Sequence, residues 1–231
     1  MDNVLAATRR IRIPLGWLAV LSLLSLPFIA WWRSLGDPAV YFFYVTPPGQ
    51  SLYVLSKLAA LYALTLACLQ LMWALAKMTG WVKRAYLSQA LHRTLGISVV
   101  GMMSLHVALF VAAASLRKQQ LAMGVLFPNF DGYYNTAVTL GLFAAASICV
   151  VAVAGALRAA GARAVKWLHM LAIPAAALAM LHSALIGTDT RNVLVASAFG
   201  FAALTIVGLL IWRVRRFALK RSILLSRDST K

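Results

Sequence analysis

The chain consists of long apolar runs separated by short segments that carry charged residues, Pro or Gly. Six runs reach or approach the roughly 20 residues that a helix needs to cross a hydrocarbon layer about 30 Å thick. In chain order, spans 1 to 6 are Ile13–Trp32, Leu52–Ala76, Leu91–Leu116, Thr136–Leu157, Val165–Ile186 and Val193–Trp212. The pattern predicts an all-α integral membrane protein, a bundle of six transmembrane helices.

The segments after spans 1 and 3 have a different character. They contain GDPAVYFFYVTPPGQ (36–50) and MGVLFPNFDGYYNT (123–136), which mix aromatic residues with Pro, Gly and Asp. Because Tyr and Trp favour the membrane–water interface, we expect short interfacial segments that cap the bundle. A docking surface for an extracytoplasmic partner is the alternative.

Composition supports the membrane class. The chain is 62% hydrophobic and 12% charged, with a mean hydropathy of +0.83, so we expect the lipid bilayer to be its main solvent. A net charge of +17 would suggest nucleic acid in a soluble protein, but the basic residues lie between apolar runs. We therefore expect no nucleic-acid partner. The two cysteines lie inside apolar runs and form neither a disulfide framework nor a zinc motif.

The basic residues also predict the topology. All but five of the 22 Lys and Arg residues lie on the side of the two termini; the exceptions are Arg33, Lys57, Arg117, Lys118 and Arg191. The positive-inside rule then places both termini in the cytoplasm. We expect a multi-pass protein of the inner (plasma) membrane with an uncleaved first span, because the apolar run after the N-terminal arginines lacks a small-residue cleavage site.

All four histidines lie within spans 3 and 5. Both spans run outward, so His92 and His169 lie near the cytoplasmic end, whereas His106 and His182 lie further out. The separations of 14 and 13 residues correspond to about 21 and 19.5 Å along a helix. The sequence thus predicts two histidine pairs at two levels.

The two histidines of span 3 lie closer to the same face of an ideal helix than the two histidines of span 5 do. Fourteen residues leave an angular offset of about 40°, whereas thirteen leave about 140°. Pro174 lies between His169 and His182, lacks a backbone N–H and pushes against the carbonyl of Met170. We therefore predict that span 5 is irregular around Ile173 and Pro174.

Ionisable residues within a membrane indicate a functional site. Neutral imidazole binds iron well, and a pair of imidazoles from facing helices can hold a planar macrocycle, so two b-type haems suit the two levels. Structural zinc is less suitable, because it usually takes four close ligands and each level offers two. Hydrogen bonding between helices and a proton relay stay open as alternatives.

The motifs LHRTLG and SLH on span 3, and WLHMLAIPAAALAMLH on span 5, resemble the ferric reductase-like transmembrane domain. This family includes ferric reductases, NADPH oxidases and the haem subunit of periplasmic methionine sulfoxide reductase. The resemblance covers residues 1–231 as one domain. It implies that His92 and His169 ligate a cytoplasm-side haem b, and that His106 and His182 ligate an outward-side haem b. Two protein ligands leave no open iron position, which favours electron transfer over oxygen binding.

The chain has no G-x-G-x-x-G in a strand-to-helix setting, so we expect no flavin or nicotinamide domain. The resemblance then implies a di-haem cytochrome that passes electrons across the membrane from a separate flavoprotein or quinol to a separate acceptor, with a flavin or quinone at one face as an option. A metalloreductase activity stays open. One alternative is the haem subunit of a periplasmic reductase, such as a methionine sulfoxide reductase system. Another is a haem-free transporter that uses the histidines for protons.

Haem propionates need positive partners. The candidates are Arg93, Arg163 and Lys166 on the inner side, and Lys57 and Arg117 on the outer side. Ordinary topology or snorkelling charges are the alternative for each. The basic C-terminal run WRVRRFALKRSILLSRDSTK is expected either to lie on the cytoplasmic leaflet as an amphipathic helix or to dock a soluble flavoprotein.

Overall fold

The computed structural model describes residues 24–80, 89–162 and 164–228, with side chains as far as residue 219. All regular secondary structure in these ranges is helical. The helices are α1 (24–35), α2 (Ala39–Phe43), α3 (Gln50–Thr79), α4 (Gln89–Lys118), α5 (Gly132–Ala159), α6 (Lys166–His169), α7 (Ala172–Ile186) and α8 (Val193–Asp228). Short 3-10 turns occupy Met123–Leu126 and Thr188–Arg191. Most of predicted span 1 lies outside the described residues.

Five helical segments of the described chain are long and apolar enough to cross a membrane. They are α3, α4, α5, the α6–α7 unit, and α8 as far as Leu219, with mean hydropathies from 1.7 to 2.4. Predicted spans 2 to 6 are therefore confirmed as apolar helices of a multi-pass membrane protein. Helices α3, α4 and α5 extend two to four residues beyond the predicted ends, because polar residues such as Gln50 and Gln89 continue the helix past the apolar run.

Span 5 is irregular, as predicted, but the break lies at Met170 and Leu171, a few residues before Ile173 and Pro174. Helix α6 ends at His169 and α7 begins at Ala172. The backbone N–H groups of Met170, Leu171 and Ile173 bond to carbonyls three residues earlier, at 3.0, 3.1 and 3.3 Å. Because Pro174 has no N–H, the carbonyl of Met170 accepts from Ile173 instead. Winding at three residues per turn adds about 20° per residue, which reduces the rotational offset between the two histidines of this span.

Helix α8 continues without a break well past the predicted end at Trp212. The C-terminal run that was expected on the cytoplasmic leaflet therefore continues the helix of span 6 as far as Asp228, and its contact with the leaflet or with a flavoprotein stays a prediction. The Arg216 guanidinium donates to the carbonyl of Thr79, the last residue of α3. The basic part of α8 therefore begins beside the C-terminal end of α3.

Helix α3 lies at the centre of the bundle and packs against α4, α7 and α8, while α5 packs along α6 and α7. Few contacts join α4 to α5. Buried apolar side chains join α3 to α7 and α8; they include Leu71, Leu75, Ala176, Ile206 and Leu209. Large apolar side chains elsewhere point outward, as in Leu204 at 75% exposed. An apolar exterior around a small core is what a lipid environment permits.

Candidate functional site

The inner histidine pair lies where two helices end. His92 is in the first turn of α4 and His169 is the last residue of α6. Their ring centroids are 6.1 Å apart, with the ring planes at 73°. An imidazole nitrogen binds a metal ion at about 2.0 Å, so two rings on opposite sides of one ion have centres about 6 Å apart. The separation of the inner pair fits two ligands of one metal.

The two inner rings are held differently. The Nδ1 of His169 lies 3.1 Å from the carbonyl oxygen of Val151 on α5. A carbonyl only accepts, so Nδ1 carries the hydrogen and Nε2 keeps its lone pair. No described residue hydrogen-bonds to the ring of His92. Its carbonyl accepts from the Gln70 amide at 3.2 Å, which ties the start of α4 to α3.

The outer pair lies in an internal cavity of about 190 Å³, which His106 on α4 and His182 on α7 both line. The Nδ1 of His182 donates to the carbonyl of Ala137 on α5 at 2.7 Å. The Nδ1 of His106 donates to the carbonyl of Ser56 on α3 at 3.0 Å and lies 2.9 Å from the Ser56 hydroxyl, which itself donates to the carbonyl of His106 at 3.1 Å. Both rings thus carry hydrogen on Nδ1 and keep Nε2 as an acceptor or ligand.

Small residues line much of this cavity and leave space between the helices. They are Ala60, Ala63, Ala67, Gly141, Ala144, Ala145 and Ala179. The lining becomes polar towards the outer end, where Tyr53, Lys57, Tyr134 and Asp189 lie. A mainly apolar cavity with polar groups at one end suits an apolar ligand that carries polar or charged substituents.

The charge of Lys57 is already compensated in this structure. Its Nζ lies 2.9 Å from Asp189 Oδ1, and the two side chains are 15% and 4% exposed. Asp189 also accepts from the hydroxyl of Ser34. Asp189 was not among the residues predicted from the sequence. The available signal was that an acidic residue, a rare type in this chain, lies in the short linker between two apolar spans.

The other predicted charges are less closely placed. Arg117 donates to the Gln50 side chain, and its guanidinium lies 4.9 Å from the centre of the Tyr53 ring. Arg93 and Lys166 are exposed on α4 and α6. Arg163 lies outside the described residues. The propionate roles of these four residues stay predictions.

Two basic residues near the inner pair were not among the sequence candidates. Lys77 and Arg158 both interact electrostatically with His92. Each is in the last turn of its helix, α3 and α5 respectively. The available signal was a basic residue at the end of an apolar span. The positive-inside rule explains such a residue equally well without a role at the histidines.

The structure brings the histidines together in the two predicted pairs. Within the described residues, no three His, Cys, Asp or Glu side chains form a cluster that could hold a metal ion by themselves. Comparison of the chain with protein-family models, curated proteins and solved structures gave no match in any of the three. The function is therefore argued from the geometry of the two histidine pairs.

Proposed function

We propose that this protein is a di-haem b-type membrane cytochrome that transfers electrons across the membrane between a separate donor and a separate acceptor. The proposal includes six spans, both termini in the cytoplasm, the inner membrane as location, and a flavoprotein or quinol as donor. One observation carries it: four intramembrane histidines lie as two pairs, and three of them donate from Nδ1 to a backbone carbonyl.

Each histidine has a defined role in this proposal. His92 and His169 hold the inner haem, and His106 and His182 hold the outer one. A bound haem supplies reversible one-electron chemistry at its iron. The two histidines at each level would complete the coordination of a haem iron, which would favour electron transfer over oxygen binding.

The backbone carbonyls of Ser56, Ala137 and Val151 orient the rings before any ligand arrives. A hydrogen bond from Nδ1 fixes the tautomer, directs the lone pair to Nε2 and makes the ligand more basic. More basic histidine ligands would favour oxidised over reduced iron. The protein therefore tunes the potential mainly through backbone groups that a side-chain substitution does not remove.

The charged groups divide between the two ends of the bundle. On the outer side, Lys57 lines the cavity with its charge balanced by Asp189, and Arg117 lies nearby. On the inner side, Arg93, Arg163 and Lys166 are the proposed propionate partners. Because charges in lipid need partners, these residues would hold the propionates of a bound haem at the two ends of the bundle.

The deciding experiment is to purify the protein with haem supplied during expression and to measure haem per chain together with the dithionite-reduced visible spectrum. A ratio near two supports the proposal. A ratio near zero overturns it and favours a haem-free transporter. A ratio of two should be accompanied by reduction of ferricyanide enclosed in proteoliposomes when dithionite is added outside. Failure of that transfer would contradict the transmembrane route.

A further inference from the structure

Helix α5 presents the same arrangement twice. The carbonyl of Ala137 accepts from His182, and Gly141 lies four residues later against the same ring. The carbonyl of Val151 accepts from His169, and Gly155 lies four residues later against that ring. We call Ala137 with Gly141 the outer seat, and Val151 with Gly155 the inner seat.

The spacing of four residues has a structural reason. In a helix, each Cα–Cβ bond tilts towards the N-terminus, so a side chain covers the turn that precedes its own Cα. A side chain at position i+4 therefore shields the carbonyl of residue i. Glycine at that position uncovers the carbonyl, which already accepts one bond within the helix, so that a neighbouring ring can use its second lone pair.

The two seats also account for the unequal histidine spacings. They are 14 residues apart on a regular helix, which corresponds to about 21 Å. Thirteen residues from His169 to His182 would rise about 19.5 Å in a regular helix, but three residues wound as 3-10 helix add about 1.5 Å. The break at Met170 and Leu171 thus brings the spacing of these histidines to that of the seats, and to the 14-residue spacing on α4.

We propose that Gly141 and Gly155 are positioning residues that set the height, tautomer and basicity of His182 and His169. The effect of these glycines on haem binding rests on the proposed function, whereas their effect on the tautomer of the two histidines does not. Glycine is needed here to let the rings approach the backbone, not for an unusual backbone conformation, since both residues lie within the regular helix α5.

The two seats differ in how closely the ring approaches. A Cβ placed on Gly141 would lie 2.6 Å from His182 Nδ1 and 2.7 Å from Cε1, closer than real Cβ contacts. A Cβ placed on Gly155 would lie 3.4 Å from His169 Cε1 and 3.5 Å from Nδ1. The outer seat therefore excludes even a methyl group, while the inner seat excludes only larger side chains.

The test compares Gly141→Ala with Gly155→Ala and Gly155→Val, using Gly101→Ala as a control because a Cβ at Gly101 meets nothing within 4 Å. Haem per chain and midpoint potentials are measured for each. We expect Gly141→Ala to lose the outer centre or raise its potential, because His182 loses its acceptor. Gly155→Ala should perturb the inner centre less than that, and Gly155→Val should remove it. Two centres with wild-type potentials in Gly141→Ala overturn the proposal.

A haem-free measurement separates this proposal from the cytochrome assignment. In protein prepared without haem and labelled with nitrogen-15 histidine, NMR should show the His182 hydrogen on Nδ1, and Gly141→Ala should abolish that state. If this NMR result is obtained and the wild-type protein also fails to bind haem when haem is supplied, the role of the two seats is supported and the cytochrome assignment is refuted. If Gly141→Ala does not accumulate, a wild-type His182 with its hydrogen on Nε2 still overturns the proposal.

Discussion

The outer and inner histidine pairs are built from the same residue type, but the bundle holds them in different ways. Both outer rings donate to backbone carbonyls, and they line a cavity between α3, α4, α5 and α7. In the inner pair only His169 is held in this way, and both residues lie at helix ends. The outer site is preorganised by the bundle, whereas the inner site depends on how two helix ends are fixed.

The largest effect should come from removing one ligand at each level. His182→Ala is expected to remove the outer centre and His92→Ala the inner one, so each variant keeps about half of the haem and neither transfers electrons across the membrane. The measurement is haem per chain with a redox titration of the remaining centre. The two residual spectra should add up to that of the wild-type protein. Loss of both centres in either variant would contradict two independent levels.

Asp189→Asn should affect the outer level selectively. It leaves Lys57 partly buried beside the cavity without its carboxylate, and breaking a buried ion pair costs about 3–5 kcal/mol. We expect a lower thermal unfolding midpoint and, because the uncompensated positive charge favours electron uptake, a higher potential at the outer centre alone. Lys57→Met combined with Asp189→Asn is the matched control and should recover much of the stability. An equal shift of both centres would show that the pair does not belong to the outer site.

Pro174→Ala tests the inner level through the backbone. The variant restores an N–H that can bond to the carbonyl of Met170, so the helix can continue through the break. His169 should then rotate away from the carbonyl of Val151, and the inner centre should bind haem less tightly while the outer one is retained. Ala177→Gly, in the same helix beyond the break, controls for general loosening. Unchanged haem affinity at the inner centre would show that the break is not needed.

Much of the fold followed from the sequence because lipid imposes a simple rule. A helix must be apolar for about 20 residues to cross the membrane, and spans 2 to 6 obey that rule closely. The break near Pro174 was also predictable, since the missing N–H has a local consequence. The pairing of histidines by level followed from the parallel directions of spans 3 and 5 alone.

The finer features of the site were less predictable, because they depend on contacts between distant residues. Nothing in the sequence near Ser56, Ala137 or Val151 marks their carbonyls as acceptors for histidine rings. The 14-residue spacing of Gly141 and Gly155 matched that of His92 and His106, but glycine is common in membrane helices and the match alone had no meaning. The partner of Lys57 required knowing that the linker after α7 folds back onto α3.

The smallest effects should come from the side chains that support each pair from α3. Ser56→Ala removes a hydroxyl but keeps the carbonyl that accepts from His106, so a loss of about 1 kcal/mol in stability is expected, with little change at the outer centre. Gln70→Leu removes the tether on the carbonyl of His92, whose ring makes no hydrogen bond to a described residue. Haem titration of the two variants should therefore show weaker binding at the inner centre for Gln70→Leu, and nearly wild-type binding at the outer centre for Ser56→Ala. If Ser56→Ala has the larger effect, the outer pair is held by the hydroxyl rather than by the backbone, and the contrast between the two levels fails.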